Sequence, residues 1–346
     1  MAYRLKARRR AIQRGMRFIA SLAGHEDSLA YLGSGLLHFC GSLATNAAEP
    51  TLRAQAVTLG HLAFAWWRAQ TDALPERPDA SQVTEYVRAY GAAKPLGVRA
   101  PRIKARLRRA AKAFPPVDYL GFDPRVEPPP ADIPDSCVCG IWSARGKRTC
   151  AACRGRLTRM TRYRSWSFAF TAAYCGERYG VPLGARYRDT MQWLPVMRPY
   201  PIRARNGGQD FYDAAYAVTH VVYTMNDYGR YLLSPYWFPW EYGFLRSYLE
   251  TPLAMNDPDM AGEFLDTLRA FGVGDEDAQV RRGLEFLLDT QNVDGSWAVG
   301  DAASLYTGFH ATWAAIDGLR EFAWTGPRLL FPELLPSLQS WAQMRY

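Results

Sequence analysis

Apolar side chains recur at three- and four-residue spacing in this chain, which is the spacing of amphipathic helices. Two such stretches, rich in Ala and Leu, cover residues 27–48 and 51–72 and predict two helices. Basic residues then crowd residues 99–112, and a proline cluster extends from Pro115 to Pro130. Such a cluster prevents a continuous helix and marks a linker or extended crossing segment. The pattern predicts a mainly α protein whose helices are interrupted by this segment.

Composition narrows the class of protein. The 346 residues are 48% apolar and 22% charged, which is enough for a sizeable core and too apolar for a disordered chain. No run approaches about eighteen apolar residues, so we expect no transmembrane helix. Six cysteines are too few for a disulfide scaffold. We therefore expect a globular, cytoplasmic protein.

The charge is unevenly distributed along the chain. Residues 1–164 hold 28 basic and 12 acidic residues, whereas residues 165–346 hold 14 basic and 21 acidic residues. The net charges are therefore +16 and −7, which indicates two differently charged regions. Seven of the basic residues precede Glu26. We interpret that stretch as a solvated basic helix in preference to a targeting segment or an arm for anionic partners.

The sharpest local motif consists of four cysteines: Cys137, Cys139, Cys150 and Cys153. Two close pairs of thiolates can complete a tetrahedral shell around Zn²⁺, and the motif resembles a small zinc ribbon. Four cysteine ligands leave no position for water, which predicts a structural zinc. Two disulfides or four free thiols are the alternatives. Arginines between Arg145 and Arg164 permit nucleic-acid binding, which we do not favour because no recognition-helix or RNP-type pattern accompanies them.

Residues 279–299 resemble the QW repeat of the squalene–hopene cyclase and prenyltransferase superfamily. The residues that carry the resemblance are Arg282-Gly283, Phe286-Leu287, Gln291, Gly295 and Trp297. In that family, the Gln and Trp side chains tie the end of an outer helix to the next turn of an α/α toroid. The resemblance implies α/α-toroid-like helical hairpin repeats in the C-terminal half. It does not imply cyclase chemistry, because the acidic DxDD motif is missing: the nearest segment, residues 256–260, lacks its last Asp.

An internal repeat gives more specific information about the site. His220 is followed seven residues later by Asp227, and His310 in the same way by Asp317. A third copy extends from Asp259 to Asp266, so the copies begin 39 and 51 residues apart. On inner helices of a toroid, the first positions of the copies would share one level of a cavity. The last positions would form a second level about 10 Å further along.

Helical spacing places the conspicuous side chains of the repeat on one stripe of each helix. The first stripe comprises Asp213, Tyr216, His220, Tyr223 and Asp227, and the second comprises Tyr306, His310, Trp313 and Asp317. Two imidazoles and a carboxylate at the first level match the facial triad of non-haem Fe(II) enzymes, which leaves open coordination positions. We predict iron or another divalent metal on four candidate ligands: His220, His310, Asp259 and Glu263. Acid–base or orienting roles are predicted for Asp227, Asp266, Asp317, Tyr216, Tyr223 and Tyr306.

These features predict a metalloenzyme, an oxidoreductase or oxygenase of the non-haem iron type. The 14% aromatic content and the Tyr and Trp stripes favour a small apolar or aromatic substrate. One alternative is a metal-free acid–base cyclase, isomerase or hydrolase that uses the three aspartates of the second level. Another is a non-enzymatic module whose knuckle and arginines bind nucleic acid or an acidic partner, and a purely structural role for the stripes is a third.

The predictions divide the chain into four consecutive parts. Residues 1–95 form a basic helical region, and residues 96–135 form a basic, Pro-rich linker. Residues 136–160 form the zinc knuckle. Residues 161–346 form the α/α-toroid-like domain that carries the candidate active site.

Overall fold

The computed structural model describes residues 3–24, 26–70, 74–135, 137, 143, 145–201, 208–299 and 305–344, with the backbone alone for residues 26–31 and 70. The described chain is mainly helical, as its apolar spacing predicts. The α-helices are α1 (Leu5–Ala23), α2 (Glu26–Asn46), α3 (Pro50–Gln70), α4 (Ala80–Ala93), α5 (Pro101–Ala110), α6 (Pro116–Leu120), α7 (Arg162–Tyr179), α8 (Tyr187–Met191), α9 (Leu194–Met197), α10 (Gln209–Met225), α11 (Pro239–Tyr248), α12 (Glu250–Ala254), α13 (Pro258–Ala270), α14 (Ala278–Asp289), α15 (Leu305–Leu319) and α16 (Leu335–Ala342).

Shorter elements complete the secondary structure of the described residues. Three 3₁₀-helices cover Lys94–Leu96, Ala111–Ala113 and Pro332–Leu334. Strands β1 (Tyr231–Leu232) and β2 (Thr325–Pro327) pair in parallel. Every helix in the described part of the chain is too short or too polar to cross a bilayer.

The two helices predicted at residues 27–48 and 51–72 are confirmed as α2 and α3. Helix α2 is interrupted at Gly33, whose φ of 42° lies in the left-handed region that favours glycine. Several of the apolar side chains that gave the spacing, including Leu36 and Leu43, are fully buried, whereas Leu62 of α3 is exposed.

The chain forms two compact units that alternate along the sequence. The first unit contains residues 1–73, 89–99 and 222–345, and the second contains residues 74–88 and 100–221. Helices α4 and α10 each contribute residues to both units. The four consecutive parts expected from the sequence stay a prediction. They rest on changes of composition along the chain, which do not reveal which distant segments pack together.

The segment expected to be a Pro-rich linker is packed into the second unit. Helices α5 and α6 begin at Pro101 and Pro116, because proline suits the first turn of a helix, where its missing N–H costs no hydrogen bond. The buried cluster to which this segment contributes comprises Leu120, Phe122, Ile133, Met160, Ala169, Ala172 and Ala185. The prolines therefore set the starts of helices here.

In the first unit, α13 and α15 approach each other unusually closely at two glycines. A Cβ atom added to Gly262 would lie 2.4 Å from the carbonyl carbon and oxygen of Ala314, and one added to Gly318 would lie 3.0 Å from the Cα of Gly262. Helix α14 packs on α13 through Gly283, where an added Cβ would lie 2.8 Å from a methyl carbon of Leu265. The small residues allow backbone contact between the helices that carry the site.

The turn after α14 is joined to neighbouring helices by hydrogen bonds. Trp297 is fully buried, and its indole N–H donates to the carbonyl of Leu287 in the last turns of α14 at 2.7 Å. The Gln291 amide donates to the carbonyl of Gly295 at 2.9 Å. The backbone N–H of Trp297 donates to the Thr312 hydroxyl of α15 at 3.2 Å. The Gln and Trp side chains therefore bind the end of one helix to the turn that leads to the next.

Candidate metal and acid–base site

Helices α13 and α15 bring three ligand-competent side chains together: Asp259, Glu263 and His310. One ligand atom of each residue lies within 4.8 Å of those of the other two. His310 Nδ1 lies 2.8 Å from Asp259 Oδ1, and His310 Nε2 lies 4.0 Å from Glu263 Oε1. Asp259 and Glu263 share one face of α13 because they are four residues apart. We name this group the upper cluster.

The contact with Asp259 determines which nitrogen of His310 holds the proton in the neutral ring. An ionised carboxylate only accepts hydrogen bonds, so Nδ1–H is the donor at 2.8 Å. The lone pair is then on Nε2, the nitrogen that faces Glu263. Histidines that bind metals commonly donate their other N–H to a carboxylate in this way. The ring is therefore oriented to bind a metal through Nε2.

The upper cluster also favours positive charge. Burial lowers the pKa of His310, but Asp259, followed by Tyr306 and Glu263, raises it, and the pKa is well above its ordinary value. Two carboxylates next to one imidazole stabilise a cation at this position, whether an imidazolium or a metal ion.

One side of the upper cluster is accessible from solvent over an aromatic surface. The side chains of His310 and Asp259 are 20% and 22% exposed, whereas Glu263 is buried. Tyr306 is 48% exposed and stacks on His310, with ring centroids 5.4 Å apart. Trp313 lies on the same helix, with its ring centroid 5.7 Å from that of His310. His310 is therefore partly exposed beside two aromatic rings.

A second group of acids, which we name the lower pair, lies further along the same two helices. Asp317 accepts hydrogen bonds from the indole N–H of Trp313 and from the guanidinium of Arg320, both at 2.6 Å. Asp266 is buried, and its Oδ1 has no hydrogen-bond partner among the described residues. Burial and, next, the Asp317 charge raise the pKa of Asp266 well above its ordinary value, in spite of Arg320 and Arg269. The lower pair thus combines an acid whose pKa is raised by burial with a carboxyl group that accepts hydrogen bonds from an indole and a guanidinium.

Tyr223 is buried close to both groups of acids. Its hydroxyl donates to the backbone carbonyl of Glu263 at 3.4 Å. Burial and then the charges of Asp266, Glu263 and Asp317 raise the pKa of Tyr223 well above its ordinary value. Tyr223 therefore stays a neutral phenol at physiological pH and can act as a hydrogen-bond donor.

We expect Asp266→Asn to raise the free energy of unfolding at neutral pH. A carboxyl group whose pKa is raised in the folded state loses stability as the pH rises above its unfolded value of about 3.9 and through the folded value. The amide resembles the protonated acid and removes this loss. Urea unfolding should show a stabilisation at neutral pH that disappears near about pH 4. The control Asp289→Asn, at an exposed aspartate, should show no such change with pH. An Asp266→Asn variant that is less stable than the wild type at neutral pH would contradict the raised pKa of Asp266.

The first predicted stripe is only partly regular in the structure. Helix α10 carries Asp213, Tyr216 and His220 in the second unit and Tyr223 in the first, and it ends at Met225. Asp227 lies beyond this end with a φ of 57°, and its carboxylate lies 3.4 Å from the Arg230 guanidinium. The helical spacing therefore does not extend to Asp227, because the backbone changes to the left-handed conformation there.

His220 is oriented by its own helix. Its Nδ1 lies 2.8 Å from the Tyr216 carbonyl oxygen, which only accepts, so the neutral ring carries its lone pair on Nε2. Asp213 accepts hydrogen bonds from Thr161 and Gln209, at 2.8 and 2.7 Å. The metal cluster found among the described residues of the first unit contains His310 and not His220. That His220 and His310 share an ion stays a prediction.

Three of the four predicted zinc ligands, Cys137, Cys150 and Cys153, have sulfur atoms within 4.8 Å of one another in the second unit. Cys139 lies outside the described residues.

The arginines around the lower pair had no role predicted from the sequence. Arg8 and Arg320 are almost completely buried. Arg8 donates to the Leu319 carbonyl at 2.7 Å, and Arg269 donates to the Arg320 carbonyl at 2.8 Å, so both satisfy carbonyl groups at the end of α15. Both guanidiniums also bind Asp275, at 2.8 and 2.6 Å. The sequence does contain a signal for two of these arginines, because an Arg follows each acid of the lower pair by three residues, at Arg269 and Arg320.

Comparison of the chain with protein-family models, with curated proteins and with solved structures found no match.

Proposed function

We propose that this chain is a metal-dependent enzyme, an oxidoreductase of the non-haem iron type, whose divalent metal binds at the upper cluster. The observation that carries the proposal is the convergence of Asp259, Glu263 and His310 within 4.8 Å beside a solvent-accessible face. Mixed imidazole and carboxylate donors suit Fe(II) and Mn(II), and a small number of protein ligands leaves positions open. When bound, the metal supplies Lewis-acid polarisation or the redox step.

The side chains of the upper cluster have different roles in this proposal. Glu263 and Nε2 of His310 face each other and bind the metal directly. Asp259 accepts the Nδ1–H of His310, orients the ring and increases its basicity. Tyr306 and Trp313 form the surface on which a small apolar or aromatic substrate packs.

The arrangement of α13, α14 and α15 supports our proposal that the C-terminal half is α/α-toroid-like. Residues that are 51 positions apart in the sequence come together where α13 packs on α15. Asp259 contacts His310, and the charge of Asp317 raises the pKa of Asp266. The two helices therefore run parallel, with α14 connecting them. The hydrogen bonds of Gln291 and Trp297 in the α14–α15 turn support the same proposal.

A second function, acid–base catalysis without a metal, is favoured by one observation at the lower pair. Asp266 has a strongly raised pKa and an oxygen without a hydrogen-bond partner among the described residues. A carboxylic acid that stays protonated at neutral pH is suited to protonate a substrate, and Asp317 next to it stabilises the positive charge that protonation creates. This function would give an isomerase, cyclase or hydrolase.

Metal titration of the purified chain and its variants tests the first function. We expect wild-type protein to bind Fe(II) or Mn(II), and His310→Ala and Glu263→Gln to weaken binding by more than about 100-fold, because each removes a direct ligand. Asp259→Asn should weaken it by about 10- to 100-fold, as expected for a residue that orients a ligand. His61→Ala, at an exposed histidine, is the matched control and should bind as the wild type does.

Equal binding by wild type, His310→Ala and Glu263→Gln would exclude the upper cluster as the metal site. The lower pair would then become the leading candidate. In that case, Asp266→Asn should abolish turnover of any substrate found, whereas His61→Ala should retain it.

A further inference from the structure

A group of thiols in the second unit has the arrangement of a metal site. Cys137 Sγ lies 3.3 Å from Cys153 Sγ, and the sulfur of Cys150 lies within 4.8 Å of both. Cys137 and Cys150 are buried, whereas Cys153 is exposed. One disulfide would join two of these sulfurs and leave the third beside it, whereas one metal ion uses all three.

The backbone between Cys150 and Gly155 forms a tight turn that presents two of the sulfurs on one side. The Cys150 N–H donates to the Gly155 carbonyl at 2.9 Å, and the Arg154 N–H donates to the Cys150 carbonyl at 3.0 Å. Arg154 has a φ of 58°, which closes the turn. The Gly155 N–H then lies 3.4 Å from Cys153 Sγ. This contact keeps the Cys153 sulfur on the same side of the turn as the Cys150 sulfur.

The sulfur spacing suits zinc. Tetrahedral zinc with Zn–S distances of about 2.3 Å requires sulfurs about 3.8 Å apart, which a small adjustment of the observed positions provides. Thiolate ligands select zinc over the hard cations that carboxylates prefer. Exposed basic residues flank Cys150 and Cys153 in the sequence, namely Lys147, Arg148, Arg154, Arg156 and Arg159. Their charge is of the sign that a negatively charged zinc–thiolate centre favours.

We propose that Cys137, Cys150 and Cys153 bind a zinc ion that joins residue 137 to the turn at residues 150–155 and stabilises the second unit. The site differs in chemistry from the upper cluster, since one has sulfur donors and the other has nitrogen and oxygen donors. The chain therefore binds two metals of different kinds. The sequence predicts Cys139 as the fourth thiolate, and that prediction is tested separately.

Zinc content and cobalt spectroscopy of the full-length chain test this proposal. Protein purified without chelator should hold one zinc per chain, and the Cys150→Ser/Cys153→Ser variant should hold none. Cobalt in place of zinc should give sulfur-to-metal charge-transfer absorption in the wild type and not in the Cys150→Ser/Cys153→Ser variant. The control Cys40→Ala/Cys175→Ala removes the two cysteines outside the motif and should keep its zinc. Cys153→His should also keep zinc, since imidazole can replace a thiolate ligand, whereas Cys153→Ser should bind it at least about 100-fold more weakly.

Several results would overturn the zinc site. One is zinc retained by the double variant, and another is no uptake of zinc or cobalt by the wild type. A third is a count of four thiols instead of six when the denatured protein is titrated, which would indicate a disulfide. If the double variant fails to fold, the pair Cys153→His and Cys153→Ser at an exposed position decides the question. Loss of a second metal in His310→Ala with zinc intact distinguishes this site from the upper cluster. Zinc lost from Cys139→Ser would support the fourth ligand.

Discussion

Gly262→Ala should lower the free energy of unfolding by about 3 kcal/mol, the upper end of the cost of overpacking a core. The new methyl group would lie 2.4 Å from the backbone carbonyl of Ala314, a contact that a rotating side chain cannot relieve. Helices α13 and α15 must therefore move apart. Because they carry Asp259 and His310, the variant should also bind the metal of the upper cluster more weakly. Urea denaturation and metal titration measure the two effects.

Gly243→Ala is the matched control for this experiment. Gly243 lies inside α11, and a Cβ added there meets no atom within 4 Å. Alanine should stabilise this helix by up to about 1 kcal/mol, because it has the better helix propensity. A Gly262→Ala variant as stable as the wild type would mean that α13 and α15 are less closely packed than described.

Trp297→Ala should lower the free energy of unfolding by about 4 kcal/mol, as expected when a large, fully buried aromatic side chain is removed. The substitution leaves a cavity and deprives the Leu287 carbonyl of its indole donor. The Trp297 ring also fills the space next to Gly15 of α1, where an added Cβ would lie 3.0 Å from it. The loss therefore loosens α1 as well as the α14–α15 turn. Thermal and urea unfolding check this result.

The neighbouring Val293→Ala serves as the control for Trp297→Ala. Val293 belongs to the same turn and is fully exposed, so its truncation should change stability by less than about 0.5 kcal/mol. Equal effects of the two substitutions would show that the turn tolerates change and that Trp297 does not hold it.

Periodicity in the sequence predicted helices α2 and α3, and it placed Tyr306, His310, Trp313 and Asp317 on one stripe of α15. The offset of 51 residues between the copies also brings Asp259 next to His310 in the structure. Both results depend on local geometry, since a helix of known period places its side chains without knowledge of the rest of the fold. The close spacing of Cys150 and Cys153 was informative for a similar reason, because a short turn brings their sulfur atoms near each other.

The polar contacts between distant segments were not predictable in this way. Asp259 meets Nδ1 of His310 and Glu263 faces Nε2, a division that depends on the side-chain rotamers and the distance between two helices. Gly262 controls that distance, and a single glycine in a helix gives no sign of its partner. The burial of Arg8 was equally hidden, because Arg8 lies in a basic stretch with Lys6, Arg9 and Arg10 that predicts a solvated helix.

The alternation of the two units along the chain has a consequence for the order of folding. Arg8 in α1 donates to the carbonyl of Leu319, 311 residues later. At a synthesis rate of about 5–20 residues per second, the first helix waits roughly 15–60 s for this partner to be made. A shortened chain that lacks α15 leaves the basic α1 without its main packing surface. The first unit is therefore completed only after α15 has been synthesised, and α1 is exposed to chaperones and proteases until then.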